Sequence, residues 1–218
     1  MNIPKVKICC IQSAGEAELA IKFGASAIGL VSEMPSGPGV IAEQEIAFIS
    51  SQIPSSVATF LLTSKITADE IITQHKLCNT TTLQLVDSVD LEVYDRLKNE
   101  LPKTKLVQVI HVNDENSLTE AINVSEYVSA ILLDSGNQKL DVKELGGTGR
   151  THNWNLSKNI VESVNIPVYL AGGLNADNVV DAIKTVKPYG IDICSGVRIE
   201  GKLDENLLKE FFSNVNSV

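Results

Sequence analysis

The chain is a succession of short apolar runs, each followed by turn-forming residues and then by a segment whose apolar positions recur every three or four residues. The first run, Val6-Lys7-Ile8-Cys9-Cys10-Ile11, predicts a buried strand. Ser13-Ala14-Gly15-Glu16 follows it with capping-box spacing and predicts a helix over 17–23, closed by Gly24. The same unit recurs. Strands are expected at 27–31, 57–62, 82–85, 105–111, 128–133, 168–171 and 191–194. Helices are expected at 43–51, 69–75, 91–99, after the capping-box sequence Ser117-Leu118-Thr119-Glu120, and at 156–164, 176–185 and 205–214.

Strict alternation of apolar strands with amphipathic helices implies a parallel sheet, because parallel neighbours need a crossover connection. Eight such units predict an α/β fold of one kind, a single (β/α)8 TIM barrel with eight parallel strands. An open doubly wound sheet would show a GxGxxG turn after its first strand, whereas this strand runs into Cys9-Cys10-Ile11-Gln12. No shift of composition marks a boundary, so residues 1–218 are expected to form one domain. The longest connection, between Asp134 and His152, carries several glycines and reads as a binding loop or lid.

Composition narrows the function classes. With 44% hydrophobic residues in 218, the chain can bury a sizeable core. A formal net charge of −9 argues against nucleic acid or an anionic membrane surface as partner, since both demand basic patches. The N-terminal stretch lacks a signal-like apolar core, and no apolar run approaches the roughly 20 residues that span a bilayer. A cytoplasmic location is the expectation. The four cysteines, Cys9, Cys10, Cys78 and Cys194, form no CxxC pair and no zinc-like spacing, so reduced thiols are expected.

Three glycine-bearing segments fall just beyond late strands: Gly146-Gly147-Thr148-Gly149, Ala171-Gly172-Gly173-Leu174 and Cys194-Ser195-Gly196-Val197. In a barrel all three converge on one rim. Glycine lets backbone N–H groups approach phosphate oxygens, and the loops after strands seven and eight are the usual phosphate grip of this fold. Gly146, Gly147, Gly172, Gly173, Ser195 and Gly196 are therefore candidate phosphate ligands. Each glycine pair taken alone could equally serve only as a tight turn.

These segments, with Lys7-Ile8-Cys9, Leu83-Gln84-Leu85, Leu132-Leu133-Asp134, Trp154, Asn175, Asn178 and Gly190-Ile191-Asp192, resemble the phosphoribosylanthranilate isomerase family of tryptophan biosynthesis nearly end to end. The resemblance implies an Amadori rearrangement of a phosphorylated aminoaldose to the aminoketose, without redox cofactor or metal. By position it makes Asp134 the general acid that opens the furanose and Cys9 the general base that removes the C2 proton. Such roles require a carboxyl held protonated by burial and a thiol drawn toward thiolate.

The resemblance breaks at the end that would meet the aromatic ring. The family's Ser-Pro-Arg-Tyr-Val is here Gly37-Pro38-Gly39-Val40-Ile41, which puts Gly39 where the arginine for the anthranilate carboxylate stands. Strand four ends Gln84-Leu85-Val86-Asp87 instead of Gln-Leu-His-Gly, Gln108 replaces a lysine, and Arg198 replaces a glutamate. Cys10 stands at a usual glycine and Cys194 at a usual serine, and both read as packing residues. Losing a bidentate carboxylate donor is a large change at a recognition site. Arg198, Arg150, His111 and His152 are candidates to replace its charge, and Gln84 and Asp192 are further candidate substrate contacts. Three functions follow: the family's isomerase, an isomerase of another phosphorylated amino-sugar or aldose, or a non-catalytic phosphometabolite binder. A monomer or homodimer is expected.

Overall fold

A computed structural model of the protein describes residues 3–136, 143, 145 and 149–218. Its eight strands are β1 (Lys5–Ile8), β2 (Ala27–Val31), β3 (Ala58–Thr63), β4 (Thr82–Leu85), β5 (Lys105–His111), β6 (Ala130–Asp134), β7 (Val168–Leu170) and β8 (Gly190–Ile193). They close into a parallel barrel in sequence order, β1 pairing with β8 through Val6↔Ile191 and Lys7↔Asp192. Between them run α1 (Ala14–Lys22), α2 (Glu43–Gln52), α3 (Ala68–Cys78), α4 (Leu91–Glu100), α5 (Asn116–Ser125), α6 (Trp154–Ser163), α7 (Val179–Val186) and α8 (Glu205–Val215). The (β/α)8 barrel expected from the periodicity is the architecture observed.

Successive side chains on a strand point to opposite faces, so each strand feeds two cores. Val6, Ile8, Ile28, Leu30 and Leu61 face outward and join Ile46, Ile71, Leu97 and Phe211 of the helices in one cluster. Each such side chain, fully buried, stabilises the fold by about 1.5–3 kcal/mol. The alternate residues, including Phe60, Leu62, Val107, Val109 and Leu132, fill the barrel. Lys7 and Cys9 are two residues apart and share this inner face. Gly29 and Gly190 make room there: a Cβ on Gly190 would lie 2.5 Å from the Tyr169 ring.

Several boundaries differ from the expectation for local reasons. β1 stops at Ile8 because Cys10 takes a left-handed backbone (φ 60) that turns the chain out of the sheet. Ser13 does cap α1, its hydroxyl accepting from Glu16 N–H, but the Glu16 carboxylate reaches back to Gln12 N–H rather than to the cap. The box at Ser117 does not form. α5 begins at Asn116 and the Ser117 hydroxyl instead donates to the His111 carbonyl. α7 starts later than expected, since the Asn175 side chain accepts from the Asp177 and Asn178 N–H groups and holds 175–178 as a turn. A 3₁₀ turn, Ser195–Val197, and a small hairpin of β9 (Arg198–Ile199) and β10 (Lys202–Leu203) between β8 and α8 had no signal in the periodicity.

Candidate active site

The C-terminal mouth of the barrel holds a cavity of about 710 Å³, open solvent at its entrance included. Cys9 enters it from β1, Gln84 from β4, Asp134 from β6 and Asp192 from β8. Each side chain is where strand alternation places it, on the inner face at or just past a strand end.

One wall is made of backbone. Gly172 and Gly173 follow β7 with φ +83 and +60, a region that L side chains rarely enter. A Cβ on Gly173 would lie 2.6 Å from the Arg150 carbonyl carbon, so the β7 loop packs directly on the chain leading to α6. A Cβ on Gly196 would strike the Leu174 carbonyl oxygen, which locks the β8 loop against the β7 loop in the same way. Ser195 and Gly149 complete this rim and line the cavity beside Gly172 and Gly173. Gly146 and Gly147, the other expected phosphate contacts, lie outside the described residues.

The opposite wall is the loop after β2, with Met34, Ser36, Gly37 and Pro38, and below it Leu62 and Val86. Gly39 (φ +82) backs onto Cys10: a Cβ there would lie 2.5 Å from the Cys10 Cβ. The extra side chain at 10 and the missing one at 39 thus occupy adjoining space. Among the described residues no lysine, arginine or histidine lines the cavity. The four residues considered as replacement cations are placed elsewhere. The Arg198 guanidinium is buried and donates to Glu16, to the Gly201 carbonyl and to the carbonyls of Cys9 and Cys10, bracing the β1 turn from behind. His111 Nε2 meets the Val86 carbonyl at 3.2 Å, and His152 Nε2 meets Ser157 Oγ at 2.6 Å with its pKa lowered by burial to about 4. Arg150 lies at the packed junction behind Gly172 and Gly173.

Electrostatics divide the site further. At the floor, Lys7 Nζ donates to Asp192 Oδ1 at 2.9 Å, with the lysine fully buried. The Cys9 thiol is drawn below the ordinary range by a hydrogen bond from the Cys10 thiol and, against burial, by the Lys7 charge. Cys10 is pushed well up by its bonds to Cys194, whose Sγ is 2.7 Å away, and to Cys9. Burial raises the Asp134 carboxyl, only partly offset by the Ser135 N–H it accepts at 2.7 Å and by neighbouring His111. The Gln84 side-chain oxygen is buried without a hydrogen-bond partner among the described residues. Also among these, no group of three or more His, Cys, Asp or Glu is arranged to hold a metal ion.

Two cations escaped the sequence reading. Lys143 Nζ pairs with Asp87 Oδ2 at 2.5 Å, while its carbonyl accepts from Ser36 Oγ at 2.6 Å, so residues beyond β2, β4 and β6 are tied together. Nothing local in the sequence marks it. Lys7 did carry a signal: a charged residue inside an otherwise apolar strand, on the same face as Cys9.

The family model for N-(5'-phosphoribosyl)anthranilate isomerase matches residues 6–214. A relative from Methanocella arvoryzae, an N-(5'-phosphoribosyl)anthranilate isomerase, is 34% identical over 212 residues, covering 97% of each chain. The solved isomerase structure from Pyrococcus furiosus superimposes with a TM-score of 0.80 at 28% identity, over 99% of this chain and 100% of that one. The Thermotoga maritima structure gives 0.83 at 26% identity with the same coverage. Sequence and architecture agree, and the chain belongs to the N-(5'-phosphoribosyl)anthranilate isomerase family.

Proposed function

We propose that this protein catalyses the family's aldose-to-ketose isomerisation of N-(5'-phosphoribosyl)anthranilate in tryptophan biosynthesis, with Asp134 as general acid and Cys9 as general base. The observation that carries this is the convergence of Cys9 and Asp134 on one cavity whose rim is built by Gly172, Gly173 and Ser195. Asp134, held protonated by burial, gives its proton to the furanose ring oxygen as the C1–O bond breaks, leaving a protonated Schiff base. The Cys9 thiolate takes the C2 proton, and the electron pair released forms the enolamine. Ketonisation returns a proton to C1 and releases one from the C2 hydroxyl, so no atom is gained or lost. Backbone N–H groups around Gly172, Gly173 and Gly196 hold the phosphate, with Gly146 and Gly147 assigned to the same grip. The Gln84 oxygen, otherwise unpartnered, accepts from a substrate hydroxyl or amine. The reaction runs in the cytoplasm, on the protein as monomer or homodimer; no helix among the described residues is long and apolar enough to cross a membrane.

Freshly prepared N-(5'-phosphoribosyl)anthranilate mixed with the purified protein tests this. Its fluorescence is expected to change at a rate proportional to protein, and a rate no higher than the spontaneous background would reject the assignment. One observation favours a second reading, a phosphorylated amino-sugar whose amine portion bears no carboxylate: no cation lines the cavity among the described residues. Efficient turnover of the anthranilate compound would exclude that alternative.

A further inference from the structure

We propose that Lys7, anchored by Asp192, is the positioning residue that keeps the Cys9 sulfur as a thiolate; the proposal rests on the reading of Cys9 as base. Lys7 and Cys9 lie two residues apart on one strand, and their side chains turn into the barrel together. They converge on the bare backbone of Gly29, where a Cβ would lie 2.8 Å from Cys9 Sγ and 2.9 Å from Lys7 Nζ. Only glycine on β2 leaves room for both. Asp192 is the register partner of Lys7 on β8 and takes its ammonium at 2.9 Å.

An ammonium group has three protons to donate and nothing with which to accept. Here one goes to Asp192, one side of the group faces the Phe60 ring 5.3 Å away, and the Cys9 sulfur shares with it the space over Gly29. An ammonium charge beside the sulfur favours its thiolate over its thiol. Burial works against the charge on Lys7, yet Asp192 and Cys9 outweigh it and hold the ammonium above the ordinary lysine range. A buried ion pair by itself adds little stability over apolar residues of the same volume, so the fold alone gives small reason for one in the barrel floor. Its location under the reacting sulfur supplies the reason.

The other groups around the sulfur do not replace Lys7. The Cys10 thiol donates to it from the next residue, Cys194 is held by Cys10, and Arg198, paired with Glu16, reaches Cys9 and Cys10 at their carbonyls rather than their sulfurs. Asp192 on β8 opposes a negative sulfur, and Asp134 on β6, within electrostatic reach of Asp192 and Lys7, bears no charge while protonated. Tyr169 on β7 lies within electrostatic reach of Lys7 and, raised by burial, stays neutral. Among these groups Lys7 is the one full positive charge placed against the sulfur.

The experiment follows alkylation of Cys9 by iodoacetamide against pH, resolved by peptide mass spectrometry, together with kcat and KM. In the unaltered protein the half-alkylation pH is expected below that of a free thiol, about 8.5. A value at or above it overturns the proposal without any variant. Lys7→Gln/Asp192→Asn removes both charges, so no orphan ion is buried if the barrel is to fold. That variant is expected to move half-alkylation up by about one unit or more. Its kcat at neutral pH should fall about tenfold or further, with KM little changed and part of the loss regained on raising the pH. Lys7→Arg should restore much of the shift. A folded double variant with an unmoved Cys9 titration would sink the idea. Failure of the base reading looks different: Cys9→Ser would keep its activity while the alkylation shift persisted.

Discussion

On the β7–β8 side of the mouth the wall is backbone, and the residues that build it are fixed by steric contact: a Cβ at Gly173 or Gly196 meets a peptide group of the neighbouring loop. On the β2–β4 side the wall is made of loop side chains that leave no cation facing the cavity among the described residues. In the proposed function the first wall offers its N–H groups to the phosphate and the second decides what that phosphate is attached to. A backbone grip survives sequence drift as long as its glycines survive, whereas recognition of a carboxylate rests on one or two side chains. On that reading this chain keeps the former and rewrites the latter.

The largest expected effect lies between the walls. Cys9→Ser or Asp134→Asn should lower kcat by roughly 10²–10⁴-fold while KM changes only a few-fold, because each removes a proton transfer and leaves both walls in place. The unaltered enzyme should show a bell-shaped profile of kcat/KM against pH. Activity falls on the acid side as the thiolate takes a proton and on the alkaline side as Asp134 loses its own. Since Cys9 is shifted down, the acid limb moves to lower pH, and since Asp134 is shifted up, the alkaline limb moves to higher pH, so the window in which both groups are in their working states is wider than for free groups. A rate indifferent to Asp134→Asn would remove that residue from the chemistry.

Most of the barrel was legible because its signals are local: an apolar run, a cap, a turn, repeated. The boundaries that moved did so through contacts the sequence does not announce, such as Ser117 bonding to the His111 carbonyl rather than capping α5. In the site, the placement of Cys9, Asp134, Gly172 and Gly173 around one cavity was legible from their positions after strands, while their roles remain proposals. Arg198 was misplaced as a candidate substrate contact, since only the folded chain shows Glu16 and two carbonyls around its guanidinium. Lys143 could not be found at all, because its partner Asp87 is 56 residues away.

An intermediate effect tests the backbone wall. Gly196→Ala should destabilise the protein by about 1–3 kcal/mol and raise KM, because the methyl group forces the β8 loop off the Leu174 carbonyl. Gly201→Ala is the complementary control: its φ of +78, which Gly196 does not share, is unfavourable for alanine, but a Cβ there meets nothing within 4 Å. It should lower the melting temperature slightly and leave KM alone. Equal KM values for the two variants would mean that the packing of the two loops does not set the phosphate grip.

The smallest effect is also the one that would reverse the comparison. Gly39→Arg alone should gain nothing, since its Cβ is directed into the Cys10 side chain at 2.5 Å. Cys10→Gly alone relieves the strain of a left-handed cysteine but adds no charge, and it costs Cys9 a hydrogen-bond donor. Together the two changes open the space and fill it with a guanidinium. A charge-assisted hydrogen bond contributes about 1.5–3 kcal/mol, which on its own would lower KM for the anthranilate substrate by about tenfold or more relative to Cys10→Gly. The left-handed backbone at 39 takes back about 1–2 kcal/mol of that gain, which makes the net effect the smallest of the three. The readout is a double-mutant cycle in KM, because coupling between 10 and 39 is the claim. Additive effects would mean that the two positions changed independently and that the substrate carboxylate is met from elsewhere on the mouth, with Lys143, paired to Asp87, a cation to examine next.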